Sequence, residues 1–168
     1  LVSSVIATFL PEKRPFIIDV DDPLCKDNGP LIGSMNYEEL LAEGDPMARW
    51  DPPIDEWDSL SLCYTSGTTA DPKGVLLHHR GAYLKSVHLI VKWPLHRHCV
   101  YLWTVPIFHL NGWFFPYAVA AVAGVNVCLR KVVANDIFAA VQEHKVTHIC
   151  GAPIVMSTML QYTGPKTW

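Results

Sequence analysis

The hydrophobic and polar positions fall into short blocks, and the blocks predict elements. Phe16–Val20 is an apolar strand closed by Asp21-Asp22-Pro23, and residues 25–32 read as loop. Asn36, with Glu39 three residues on, is a capping box for a helix over Tyr37–Ala42 that Gly44 ends. Residues 45–58 carry Pro46, Pro52, Pro53 and many acids, which predicts an extended surface connection. Ser59–Tyr64 and Gly74–His78 read as strands, and Arg80–Trp93 as a helix stopped by Pro94. From there strand and helix alternate: strand 99–105, helix 111–123, strand 124–129, helix 135–145 capped by Asn135, strand 147–150, and a helix from Pro153 to Leu160.

Strand followed by helix three times over implies right-handed βαβ units on a parallel sheet with buried strands. The expected fold class is therefore α/β, with a mostly parallel βαβ sheet preceded by a strand-loop-strand segment. Ligands of such sheets bind at the carboxyl ends of the strands. His109 and Gly151-Ala152-Pro153 fall there. We divide the chain into 1–58 (strand, helix and connection) and 59–168 (loop and βαβ region).

The two strands at 59–64 and 74–78 bracket Tyr64-Thr65-Ser66-Gly67-Thr68-Thr69-Ala70-Asp71-Pro72-Lys73-Gly74-Val75. Its hydroxyls and backbone N–H groups need polar partners, so the segment cannot be core. The residue types suit phosphate oxygens: Thr65, Ser66, Thr68 and Thr69 as hydroxyl donors, Gly67 and Gly74 for close approach, Lys73 as a point charge. A Walker loop is excluded, because that motif needs its lysine directly after the second glycine and then Ser or Thr, whereas Lys73 precedes Gly74 and Val75 follows. A mobile polar hairpin tip is the plain alternative.

The same twelve residues resemble the phosphate-loop signature of the AMP-forming acyl-adenylating superfamily, Tyr/Phe-Thr-Ser-Gly-Thr-Thr-Gly-x-Pro-Lys-Gly-Val, departing only at Ala70. His78–Leu84, Tyr101–His109 and Thr147–Pro153 resemble its medium-chain or aryl acyl-CoA synthetase branch, and the similarity runs from about Gly33 to about Met159. The resemblance implies an acyl-CoA synthetase: ATP, with Mg2+, activates a carboxylic acid to an acyl-adenylate, and CoA then takes the acyl group as a thioester. It implies that Thr65–Lys73 hold ATP phosphates and that His109 is the catalytic residue where acyl pocket and adenylate meet. Asn111, Trp113, Gly151, Ala152 and Pro153 would then line the acid pocket, and Lys131, at a strand end, would face CoA. Plainer roles compete: His109 as a polar loop residue, Lys131 as a solvated lysine. Positions 111, 113 and 115 cannot all face one way on a helix, so at least one of them belongs to the core. The bulky aromatics there suggest a short, medium or aryl acid.

The family's later motifs are missing: Tyr-Gly-x-Thr-Glu, the Asp of Thr-Gly-Asp, and the domain with the catalytic lysine. The chain therefore reads as an internal piece of the large N-terminal domain. Alone it is expected to be inactive, to expose apolar strand edges and helix faces, and to hold ATP no tighter than about millimolar, since half-built clefts leave charges screened. A non-catalytic truncated product, or a fragment that only binds a nucleotide or partner, is the alternative.

Composition narrows the rest. The chain has 168 residues, 50% of them apolar, with a net charge of −3 and no basic cluster, which argues against nucleic acid as a partner. The run Trp113–Leu129 holds Pro116, Gly124 and Asn126 and is too short for a membrane span. The five cysteines are scattered; Cys63, Cys128 and Cys150 lie in apolar runs, which predicts buried free thiols in a reducing compartment. A cytoplasmic location is expected, with the peroxisome the eukaryotic alternative, although the C-terminal residues are not a Ser-Lys-Leu signal. The eight histidines include His96, His98, His144 and His148, but no four-ligand set has zinc spacing, so no protein-held metal is expected. The sequence is silent on oligomeric state.

Overall fold

The computed structural model describes residues 2–9, 11–24, 29–65 and 71–166, with the backbone alone for residues 2, 110 and 111. The chain forms two compact units, one up to Asp51 and one from Pro52 on.

In the first unit, helix α1 (Val2–Ile6) precedes strands β1 (Ile18–Asp19) and β2 (Met35–Asn36), which pair in parallel. Helix α2 (Tyr37–Ala42) follows directly. The capping box forms as the sequence predicts: the Glu39 N–H donates to Asn36 Oδ1 at 2.8 Å, and the Asn36 N–H donates to Glu39 Oε2 at 2.9 Å.

The second unit opens with a clamp. The Arg80 guanidinium meets Glu56 at 2.5 Å and lies 5.7 Å above the Trp57 ring, and Trp57 stacks on His78 with ring centroids 4.8 Å apart. The end of the connection is thereby tied to the start of the helix that follows the hairpin. Strands β3 (Ser59–Thr65) and β4 (Lys73–His78) pair antiparallel, with a register shift between Ser59 and Ser61. Helix α3 (His79–Lys92) leaves β4 without a loop, its first turn capped by His78 Nδ1, which accepts from the Gly81 N–H at 3.0 Å.

Strands β5 (Val100–Trp103), β6 (Val125–Cys128) and β7 (His148–Cys150) form a parallel sheet in the order β6-β5-β7. Between them run α4 (Leu110–Trp113), α5 (Phe115–Ala121) and α6 (Ala134–His144), and α7 (Pro153–Gln161) follows β7. The side-chain period of two sends Tyr101 and Trp103 to one face of β5, with α3 and α5, and Leu102 to the other, with α6 and α7. Phe115 stacks on Tyr101 at 4.7 Å and meets Trp93 edge-on at 5.5 Å. The first crossover runs outward from β5 to β6 and the second returns across β5 to β7. Two crossovers of one hand running in opposite directions must place their helices on opposite faces, as α5 and α6 are placed.

Three local expectations need correction. The helix expected over 111–123 is two helices broken at Phe114. Asn135 does not cap α6: Val133 holds that position without a side-chain bond, and Asn135 instead accepts from the Tyr162 hydroxyl at 2.9 Å. Cys128 is exposed, because β6 is a sheet edge whose alternate residues face outward; Cys63 and Cys150 are half-buried, and among the described cysteines Cys99 is the fully buried thiol. Among the described residues no helix is long and apolar enough to cross a membrane.

Candidate active site

The hairpin sets the first part of the site. Register pairs Thr65 with Lys73 and Tyr64 with Gly74, so Thr65 and Lys73 form the last rung before the loop, with their side chains on one face. Both are exposed. Ser66, Gly67, Thr68 and Thr69 lie outside the described residues, as does Ala70. The base of the hairpin is anchored through Leu60 and Leu77, which pack on the core beside α3.

The second part lies at the carboxyl ends of the parallel strands. Beyond β5 the chain turns over Pro106–His109, closed by the His109 N–H donating to the Pro106 carbonyl at 3.0 Å. The His109 carbonyl then accepts from the Gly112 and Trp113 N–H groups, at 2.7 and 2.9 Å, and starts α4. Gly112 is required in this turn, since a Cβ there would stand 2.7 Å from the Pro106 carbonyl oxygen. The His109 side chain is exposed. Trp113, at the end of α4, is half-buried against the core with Nε1 buried and unpartnered, and Phe115, at the start of α5, is wholly core. For Asn111 only the backbone, in α4, is described.

Gly151 and Ala152 leave β7, and Pro153 opens α7. Gly151 is half-buried; Ala152 and Pro153 are exposed. The structure therefore brings His109 and Gly151–Pro153 to one edge of one sheet, while Thr65, Lys73 and Gly74 sit on a separate element. Lys131 stands three residues beyond the end of β6, exposed, rather than at the strand end the sequence predicts.

That sheet edge holds a cavity of about 360 Å³. Residues Trp103–Ile107 form one wall, and Cys128, Leu129 and Val132 the other. The lining is mainly apolar and suits a small organic group. The sequence reading missed Thr104, Leu129 and Val132. One signal was present: Thr104 is the lone hydroxyl between Trp103 and Val105 at a strand exit. Burial pushes the Cys150 and Cys99 thiols up, and burial followed by the neighbouring Cys150 pushes the Tyr101 phenol far up. These three groups stay neutral and serve the scaffold. Among the described residues no three His, Cys, Asp or Glu side chains converge to hold a metal ion.

The second unit thus offers a polar, lysine-bearing hairpin and a parallel sheet with an apolar cavity at its strand ends. The model of the AMP-binding enzyme family matches residues 10–168, and the chain belongs to that family. It is 47% identical over 152 residues to the peroxisomal acetate/butyrate–CoA ligase of Arabidopsis thaliana, covering 88% of this chain and 27% of that protein. It is 40% identical to the 2-methylpropanoate–CoA ligase of Humulus lupulus, over 99% of this chain and 31% of the relative. Among solved structures, the O-succinylbenzoate coenzyme A synthetase of Bacillus subtilis in complex with AMP superposes with a TM-score of 0.69 at 23% identity, over 80% of this chain and 36% of that one. The chain thus spans roughly a third or less of the length of these proteins.

Proposed function

We propose that the chain supplies the phosphate-holding hairpin and part of the acid pocket of an AMP-forming acid–thiol ligase. The observation that carries this is the pairing of Thr65 with Lys73 at the mouth of the signature loop. A hydroxyl and an ammonium on one face at that point suit the β- and γ-phosphates of ATP and the charge that develops on departing pyrophosphate. In the first half-reaction a carboxylate oxygen attacks the α-phosphorus and the bond to pyrophosphate breaks. In the second, the CoA thiolate attacks the acyl carbon and AMP leaves. Magnesium, when bound with ATP, neutralises phosphate charge. In this reading phosphate oxygens and water would hold most of its coordination sphere.

In this reading the start of the Pro106–His109 turn walls the cavity, the Gly151 turn lies across β5 from it at the end of β7, and His109 contacts the reacting carboxylate. Asn111, Trp113, Gly151, Ala152 and Pro153 belong to its surroundings, and Lys131, exposed on the same edge, faces CoA. Two curated relatives named for acetate, butyrate and 2-methylpropanoate support short acids as the substrate class, and the modest apolar cavity agrees. A cytoplasmic location is our reading; the Arabidopsis relative named as peroxisomal makes that organelle the first alternative to test by imaging the full-length protein.

The test is pyrophosphate release by the full-length parent with short, medium and aryl acids. Release fastest with acids of two to about four carbons is expected, because each buried CH₂ adds about 0.8 kcal/mol only while the pocket has room. Folded parent that releases none with any acid refutes the ligase reading. If only long-chain acids support release, the substrate class is wrong.

A further inference from the structure

We propose that Thr104 is a positioning residue of the acid pocket: its hydroxyl fixes the Gly151 turn, and that turn sets the affinity for the acid. The proposal rests on the ligase reading above. Thr104 is 6% exposed, one of two buried polar side chains among the described residues. It follows Trp103, whose partner Cys150 is the last paired residue of β7. Just past that pair, the Thr104 hydroxyl donates to the Cys150 carbonyl oxygen. A side chain therefore ties β5 to β7 at the point where backbone pairing stops.

The tie bears on the site from both sides. Thr104 lines the cavity at the carboxyl ends of β5 and β6. The turn it holds begins at Gly151, where a Cβ would stand 3.2 Å from Thr104 Oγ1, 3.3 Å from Val155 Cβ and 2.7 Å from Met156 Cε. Any side chain at Gly151 would thus crowd Thr104 and the first turn of α7. The single hydroxyl proton is committed to the carbonyl, so Thr104 cannot donate to an acid in the cavity. It acts through Gly151.

Thr104→Val keeps the shape, removes the donor and leaves the Cys150 carbonyl without that partner, whereas Thr104→Ser keeps the donor. In the full-length parent we expect Thr104→Val to raise KM for the acid about five- to fifty-fold while KM for ATP stays within about twofold, the pattern of a misplaced pocket wall. Thr104→Ser should recover the acid KM to within about threefold of wild type, since a hydrogen bond is restored. Amide hydrogen exchange at Gly151 and Ala152 should quicken about tenfold or more in the valine variant only, as local opening becomes easier. Equal rises in both KM values, an unchanged acid KM, or a serine variant as impaired as the valine one would overturn the proposal, as would unchanged exchange. If wild-type parent is inactive with every acid, the ligase reading has failed, and exchange still decides whether the hydroxyl holds the turn.

Discussion

The hairpin and the parallel sheet solve opposite problems. On the hairpin, Leu62 is 52% exposed, Leu76 65% and Tyr64 71%; on the central strand β5, Tyr101 is 1% exposed and Leu102 0%. The hairpin carries the most diagnostic residues of the chain, yet it buries little beyond Leu60 and Leu77 at its base. The sheet carries almost no chemistry except at its carboxyl edge, and supplies both halves of the core. A segment that holds phosphate, the role proposed for the hairpin, must keep hydroxyls and an ammonium available to a ligand, so it cannot also pack. Recognition and rigidity are therefore divided between two elements, joined through α3.

The largest effect should come from breaking the sheet. Leu102→Ala removes a fully buried side chain from the cluster shared with Ile137 and Val127, and should cost about 2–5 kcal/mol of stability. Leu76→Ala, on the exposed hairpin, should stay within about 0.5 kcal/mol in the isolated chain. Denaturant unfolding of both variants checks the contrast, and similar losses would show that the hairpin is a structural element after all. Next in size is the converse experiment. Lys73→Ala should slow pyrophosphate release by the parent about ten- to a thousandfold, the range for losing one preorganised charge contact. Its melting temperature should hardly move, because Lys73 is exposed. A slow enzyme with an equal loss of stability would undo the division of labour.

The same division explains what the sequence could tell. The strands and helices from Ser59 onward were legible to within a few residues because hydrophobic period and turn residues act locally. The Asn36 capping box was legible for the same reason. The break at Phe114 was also written in the sequence, in Pro116: it stands in the first turn of α5, where its missing N–H ends any helix running on from α4, and hydrophobic period alone passes over it. The failed Asn135 cap was not legible, since its side chain is engaged by Tyr162 from α7's far end. Cys128 was misjudged because an apolar run does not reveal that its strand forms a sheet edge. Of the candidate site, what the sequence made legible is position: Thr65 and Lys73 at the end of a hairpin, and His109 and Gly151–Pro153 after strands. The Thr104 hydrogen bond was hidden because its acceptor lies 46 residues away, on another strand.

The smallest effect expected concerns pH and sharpens the contrast from the side of the scaffold. Tyr101 and Cys99 lie on or next to β5, and Cys150 ends β7. All three prefer to stay neutral in the fold, first because burial disfavours the charged form. The Tyr101 hydroxyl also donates to the Cys150 sulfur, which raises the phenol and eases the thiol. A raised folded pKa fixes the sign. Below the unfolded pKa both states are protonated and stability is complete. Above it the unfolded chain loses a proton that the folded chain keeps, so unfolding gains. Stability should thus be unaffected by these groups up to about pH 8, then fall as the unfolded thiols and later the phenol ionise, from about pH 8.5 and pH 10. Tyr101→Phe should cost about 0.5–1.5 kcal/mol at pH 7, for the lost hydrogen bond. It should also make the decline above about pH 10 less steep, because the unfolded phenol no longer adds its proton loss to that of the thiols. Denaturant unfolding followed by tryptophan fluorescence between pH 7 and 10.5 reads both quantities. An alkaline slope in Tyr101→Phe as steep as in wild type would mean that the Tyr101 phenol takes no part in the decline.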